Sequence, residues 1–276
     1  MLRREMTFEQ AEGIDALPSQ LERGHITSVI RARLWHALYQ SLQSSSTFQS
    51  GYRRVSPRWQ VALLDMYVRK FGVFSDTVTD RLDRHADRLK PVYENGKPHI
   101  VLGVTEWLLR SYNARGFTSA VASILVEERS AYRLVDDHDI VPLASDEEGQ
   151  ALLGALTALD SANLQGARTH LKAAAHAAAL GSFADSVRES MQAIESAARS
   201  LTGSSKFSDA LATVEQERRL HTAFKRGLTS LYGYSSDEEG IRHPLLENGD
   251  AAVSEADAIL MLGICASAVT YLLSHR

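Results

Sequence analysis

The sequence predicts a mainly α-helical protein of two domains. Apolar residues recur at helical spacing along most of the chain, as they do in the helix predicted over 26–42. One stretch, "AYRLVDDHDIVPL" at 131–143, instead has two short β-prone runs around a polar tip and predicts a β-hairpin. A capping-box signature, Ser-Asp-Glu-Glu, follows and begins a new helix. We therefore predict an α-helical N-terminal domain with a small β-hairpin over 1–144 and an antiparallel helical bundle over 145–276.

The N-terminal domain has five predicted helices and one polar loop. The loop covers 41–51, and a turn at 113–116 separates the last two helices. Pro91 is predicted to end the third helix, because proline lacks the N–H that a helix interior needs. The helices are predicted over 26–42, 59–71, 75–90, 101–113 and 117–129.

The C-terminal domain has five predicted helices joined by short connections, which is typical of an antiparallel bundle. One of them carries an apolar stripe from Val187 to Leu201, at alternating steps of four and three residues. Asp185 or Ser186 is predicted to begin that helix and Gly203 to end it. The others are predicted over 145–159, over 161–180 with Gly181 at its end, from Ser208 to about Tyr232, and after a capping box at Ser254–Asp257.

Composition and charge narrow the functional classes. The chain of 276 residues is 44% hydrophobic and 23% charged, which is globular composition. Cys265 is the single cysteine, and no apolar run follows "MLRREMTFEQAEG", so we expect a reducing, cytoplasmic location. Up to Ala144 there are 19 Lys/Arg and 17 Asp/Glu, a net charge of +2. From Ser145 onward there are 11 and 17, a net charge of −6. This balance argues against strong non-specific binding of nucleic acid.

One segment has the composition of a membrane anchor. The 16 residues from Ala258 to Leu273 carry no charge. Spanning a bilayer takes about 20 apolar residues, and Gly263, Ser267 and Thr270 dilute this run. We therefore predict a buried helix of the bundle and no membrane association.

The stretch "LYGYSSDEEGIRHPLLENGD" at 231–250 contains the strongest candidates for chemistry. It is predicted to connect two helices, and it contains Arg242 and His243. An arginine matches a phosphate with a fork of N–H donors, and a histidine exchanges a proton near neutral pH. This pair suits RNA cleavage by the RNA's own 2′-hydroxyl, with a two-fold dimer supplying a second histidine. No phosphate loop, HExxH or CxxC motif is present, so neither a metal nor another cofactor is expected.

Three further residues are candidates for the same site. Glu195 lies at the border of the apolar stripe, and Tyr232 and Tyr234 stand beside an acidic triplet as candidate RNA-binding residues. Each has a structural alternative. Arg242 and His243 can form a solvated loop with carboxylates nearby, and Glu195 can pair with Arg199 one helical turn away. The tyrosines can act as half-buried wedges between helices.

Three segments resemble the C-terminal HEPN domain of AbiJ-like abortive-infection proteins: "FADSVRESMQAIESAARSLTG", "LYGYSSDEEGIRHPLLE" and "EADAILMLGICASAVTYLL". The upstream "IRARLWHALY" and "AYRLVDDHDIVPLASDEE" resemble the N-terminal domain that accompanies such modules. The resemblance implies a HEPN-type bundle that dimerises and a metal-independent endoribonuclease used in antiviral defence. It also implies a sensor or regulatory role for the N-terminal domain.

The sequence departs from the catalytic HEPN pattern at its last position. That pattern is an arginine, a polar residue and a later histidine; Arg242 and His243 match the first two. Glu247, Asn248 and Gly249 occupy the positions expected for the last. Our first hypothesis is an effector in which Arg242 holds RNA phosphate, His243 transfers the proton and Glu195 orients one of them. The alternative is a catalytically degenerate scaffold for dimerisation or ligand binding that regulates a partner protein.

Overall fold

A computed structural model describes residues 20–143, 146–218, 220–237 and 253–274 of the chain. Within those residues the protein is mainly α-helical, as the sequence predicts. It has eleven α-helices and two short β-hairpins, of which the second was predicted. The chain divides between Ile140 and Val141 into two compact units, called unit 1 and unit 2 below.

Unit 1 contains five α-helices and a first hairpin, and the division between the units falls within the last strand of a second hairpin. In both hairpins the turn uses residues with positive φ: Ser50 and Gly51 in the first, Asp136 and Asp137 in the second. The elements are α1 (Ser28–Ser44), β1 (Thr47–Gln49), β2 (Tyr52–Arg54), α2 (Pro57–Phe71), α3 (Leu82–Asn95), α4 (Pro98–Ser111), α5 (Arg115–Glu127), β3 (Tyr132–Val135) and β4 (Asp139–Pro142).

Local chemistry explains where the first helices begin and end. The hydroxyl of Thr27 accepts a hydrogen bond from the Ile30 N–H at 3.1 Å and so caps α1. Pro57 stands in the first turn of α2, where its missing N–H costs nothing. Gly72 follows α2 with φ 65°, a left-handed conformation that ends the helix.

The core of unit 1 is built on large aromatic side chains. Trp59 is fully buried and contacts Tyr112 and Phe117 edge-on, with ring centroids 5.0 and 5.9 Å apart. Tyr93 is also buried, and its hydroxyl lies 3.1 Å from that of Thr105. The polar end of the Tyr93 ring is therefore satisfied inside the core.

Three predictions for unit 1 were wrong. Pro91 lies inside α3 and does not end it, because the buried residues of this helix continue through Leu89 to Tyr93 beyond the proline. The helix also begins at Leu82, after a short 3-10 turn at Ser75–Thr77. The predicted loop at 41–51 contains strand β1, whose Thr47 pairs with Arg54 of β2.

Unit 2 is a bundle of six helices among the described residues. α6 and α7 are connected by three residues and α7 and α8 by two, so each pair runs antiparallel. The helices are α6 (Asp146–Ser161), α7 (Gln165–Leu180), α8 (Phe183–Thr202), α9 (Phe207–Arg218), α10 (Thr222–Asp237) and α11 (Glu255–Ser274).

Alanine dominates the core of unit 2. Ala174 and Ala178 of α7 and Ala193 and Ala197 of α8 are almost fully buried. A Cβ placed on Gly166 of α7 would lie 3.0 Å from the Ser196 hydroxyl of α8. These small side chains allow the α7 and α8 backbones to pack closely.

The predicted apolar stripe of α8 is buried from Val187 to Ala198, and only its last member, Leu201, is partly exposed. The prediction that Asp185 or Ser186 begins this helix was wrong. α8 begins at Phe183; Asp185 instead pairs with Arg188 at 2.8 Å, and Ser186 is fully buried.

The predicted helix from Ser208 to Tyr232 is interrupted. It forms α9 and α10, and the His221 Nδ1 accepts the Ala223 N–H at 3.1 Å at the start of α10. α10 continues to Asp237, so Tyr232 and Tyr234 lie on a helix and not in a connection.

α11 is the most apolar helix of unit 2. Ser254 and Asp257 form the predicted capping box, with the Ser254 N–H 2.8 Å from the Asp257 carboxylate. Among the described residues α11 is the one helix long and apolar enough to cross a membrane, and half of it is buried within the protein. Cys265 lies on its buried side, and burial raises the pKa of the thiol to about 12. The absence of a membrane association stays a prediction.

Candidate functional site

Arg242 and His243 lie in the segment 238–252, outside the residues that the structure describes. The same holds for Glu247, Asn248 and Gly249. The predicted roles of Arg242 and His243 therefore stay predictions, and the site is built here from the described residues of unit 2.

A polar groove of about 830 Å³ runs along the exposed face of α8. Arg188, Gln192, Glu195 and Arg199 lie along it at steps of four, three and four residues, which places them on one helix face. Serine hydroxyls and His170 of α7 complete the lining. The groove thus contains groups that can bind an anion and groups that can exchange a proton.

Glu195 is the predicted site residue that lines this groove. Its carboxylate lies 3.3 Å from the guanidinium of Arg199, so the alternative of an ion pair one helical turn apart is confirmed. The Glu195 side chain is 19% exposed and that of Arg199 is 45% exposed. A partly exposed pair of this kind stabilises the fold by about 0–1 kcal/mol. Its main effect is therefore to hold the Arg199 guanidinium at the groove.

His170 enters the groove from the neighbouring helix and was not among the site residues that the sequence predicted. Its Nδ1 lies 2.8 Å from the carboxylate of Glu189. The sequence contains one indication of this contact. His170 and Glu189 lie 11 and 8 residues from the turn at Gly181, so two antiparallel helices joined there place them at similar heights.

The charges along the groove are nearly balanced. Arg188 lies 2.8 Å from Asp185 and 3.6 Å from Glu189, and Arg199 faces Glu195. A ligand here would be bound mainly by directional hydrogen bonds and only weakly by net charge. The near balance of charge in the groove agrees with the small net charge of the whole sequence, −4.

Tyr232 and Tyr234 are not among the described residues that line the polar groove. Both are half-buried on α10, and the Tyr232 ring packs on Phe207 with centroids 5.1 Å apart. For Tyr232 this is the contact that the wedge alternative predicts. Glu195 lines the polar groove and the tyrosines do not, and their role in RNA binding stays a prediction.

Unit 2 also has a mainly apolar groove of about 940 Å³, called the apolar groove below, lined by α10 and α11 and by Glu147, Glu148 and Ala151 of α6. Leu228 and Leu231 line one wall and Ile264 the other. Phe224 and Leu260 are 61% and 56% exposed, and Phe224 stacks on Tyr271. A groove of this volume with a mainly apolar lining is typical of ligand-binding sites.

The described residues contain no group of three or more His, Cys, Asp or Glu side chains that could hold a metal ion. Comparison of the chain with protein-family models, with curated proteins and with solved structures found no match. The motifs quoted above and the geometry of the two grooves are therefore the observations that support a function.

Proposed function

We propose that this protein is a HEPN-type abortive-infection effector that binds RNA and cleaves it without a metal at a dimer interface. The observation that carries the proposal is the polar groove on α8, where Glu195 and Arg199 lie beside His170. The α8 sequence is also the first segment of the HEPN resemblance. Unit 1, in this proposal, has a sensor or regulatory role.

The side chains of the groove suit a phosphodiester. The two arginines offer N–H donors to phosphate oxygens, and serine hydroxyls can bond to ribose. Two phosphate contacts to single-stranded RNA give a slope of about −1.4 for log affinity against log salt concentration. Arg242 and His243 would add the phosphate clamp and proton transfer that the sequence predicts.

The first prediction tests binding at the groove. Arg199→Ala removes one phosphate donor and is expected to weaken binding of a labelled single-stranded RNA by about tenfold, measured by fluorescence anisotropy in EDTA. Arg226→Ala is the matched control, because Arg226 is exposed on α10 and lies outside the groove. Equal affinity for both variants and the original protein would contradict the proposal.

Cleavage is measured on the same RNA in EDTA. Arg242→Ala and His243→Ala are both expected to abolish the appearance of 2′,3′-cyclic phosphate ends. RNA that stays intact at high protein concentration, although it is bound, would remove the enzymatic part of the proposal.

The apolar groove favours a second candidate function, a catalytically degenerate HEPN scaffold that dimerises, binds a ligand or regulates a partner protein. Exposed Leu260 and Phe224 support a contact that buries them. Leu260→Glu is expected to convert a dimer to a monomer in analytical ultracentrifugation. Leu180→Glu is the control, because Leu180 is 70% exposed on α7 and lies outside the groove. A dimer that persists in both variants would exclude this surface as the interface.

A further inference from the structure

The polar groove contains an imidazole that a carboxylate holds in one orientation. The His170 Nδ1 lies 2.8 Å from Oε2 of Glu189, whose side chain is 18% exposed. The remaining ring nitrogen, Nε2, makes no hydrogen bond to the described residues. His170 lines the groove, so Nε2 is the ring nitrogen available to a ligand there.

We propose that His170 is the proton acceptor of the groove, with Glu189 as its positioning residue. This inference rests on the proposed RNA function and names a further residue for it. The sequence has glutamate, asparagine and glycine where a catalytic HEPN domain has its final histidine. His170 supplies an imidazole to the groove from a different helix.

The step is a transesterification within the RNA. Nε2 takes the proton of the 2′-hydroxyl, O2′ forms a bond to phosphorus, and the bond from phosphorus to O5′ breaks. The proposed function gives proton transfer to His243, which here supplies the proton that the leaving O5′ takes, so the products are a 2′,3′-cyclic phosphate and a 5′-hydroxyl. Glu189 accepts the Nδ1–H, fixes the tautomer and stabilises the imidazolium that forms. Arg199 lies in the same groove and can stabilise the charge that develops on the phosphate.

A structural role for His170, in which its bond to Glu189 only joins α7 to α8, makes different predictions. It requires folding or RNA affinity to change when the bond is lost. Proton transfer requires the cleavage rate to fall while the dissociation constant stays the same. The two roles are therefore separated by measuring both quantities on each variant.

The kinetic test uses the full chain with a single-stranded RNA in EDTA. His170→Gln is expected to lower the single-turnover cleavage rate by about 100-fold or more, with RNA affinity within about twofold. Glu189→Gln keeps the shape but removes the charge, so an intermediate loss of about tenfold is expected. His176→Gln is the control, since His176 is exposed on the same helix and outside the groove. Cleavage by His170→Gln at the original rate overturns the inference and leaves the proposed function intact.

A second measurement does not depend on cleavage. A 2′-O-methyl RNA has no attacking hydroxyl, and its binding is expected to shift the NMR signals of the His170 ring and leave those of His176 unchanged. If this RNA binds and the His170 signals do not move, the inference is wrong while RNA binding stands. If neither this RNA nor the unmodified RNA binds, the proposed function itself fails, and the inference with it.

Discussion

The two units of this protein have cores of opposite kinds. The fully buried aromatic side chains of the described residues, Trp59, Tyr93 and Phe117, all lie in unit 1. In unit 2, alanines occupy much of the interior of α7 and α8. Unit 1 is thus stabilised by large rings and unit 2 by closely spaced helices.

This difference bears on where a functional site can form. Alanine packing brings the α7 and α8 backbones together, so side chains at the edge of their contact, such as His170 and Glu189, meet directly. The tryptophans at 35, 59 and 107 all lie in unit 1, so tryptophan fluorescence reports that unit alone.

The largest effect is expected when the aromatic core of unit 1 is truncated. Phe117 is 1% exposed and packs on Trp59, so Phe117→Ala should lower the free energy of unfolding by about 3–5 kcal/mol. Urea unfolding followed by tryptophan fluorescence measures this change. Phe74→Ala is the control, because Phe74 is 78% exposed and its loss should change stability by about 0.5 kcal/mol or less. Similar effects of the two substitutions would show that the aromatic core does not stabilise unit 1 in this way.

A buried histidine should make the stability of unit 1 depend on pH. Burial and the nearby Arg88 lower the pKa of His85 from 6.5 to about 4. The ring is satisfied as a neutral species: the Tyr67 hydroxyl donates to Nδ1, and Nε2–H donates to the side-chain carbonyl of Gln60, both at 3.2 Å.

The sign of this pH dependence follows from the two protonation states. Between pH 6.5 and 4 the unfolded chain binds a proton at His85 that the folded chain excludes, so stability falls as the pH is lowered. The full loss is about 3 kcal/mol and is complete below pH 4. Fluorescence-detected urea unfolding at several pH values measures it, and His85→Gln should remove that part of the slope. An unchanged slope in the variant would mean that other groups cause the pH dependence.

Much of the fold followed from patterns along the sequence. The apolar stripe of α8 was predicted because the spacing of its members, from Val187 to Ala198, places them on one face of a helix. The hairpin at 131–143 was predicted because its polar tip interrupts two β-prone runs. Both patterns lie within one short segment. Such a pattern predicts the structure correctly when the residues that it places on one face are also the residues that the fold buries.

The misses occurred where tertiary contacts outweighed a local preference. Pro91 did not end α3, since the buried face of that helix continues to Tyr93. The His170–Glu189 contact joins residues 19 positions apart, and it depends on the register of two packed helices. Only part of the candidate site, Glu195 with Arg199, could be predicted, because that pair lies on one helical turn.

A smaller effect is expected when the alanine packing of unit 2 is changed by enlargement. Ala197 on α8 is fully buried, and Ala197→Leu should lower the free energy of unfolding by about 1–3 kcal/mol, as far-UV circular dichroism in urea would measure. Ala256→Leu, at an exposed position on α11, is the control and should be nearly neutral. Because enlargement pushes α8 away from its neighbours, it should also lengthen the His170–Glu189 contact and slow cleavage. Unchanged stability in Ala197→Leu would mean that the core of unit 2 accommodates a larger side chain. Close packing of the α7 and α8 backbones would then not explain the position of the groove residues.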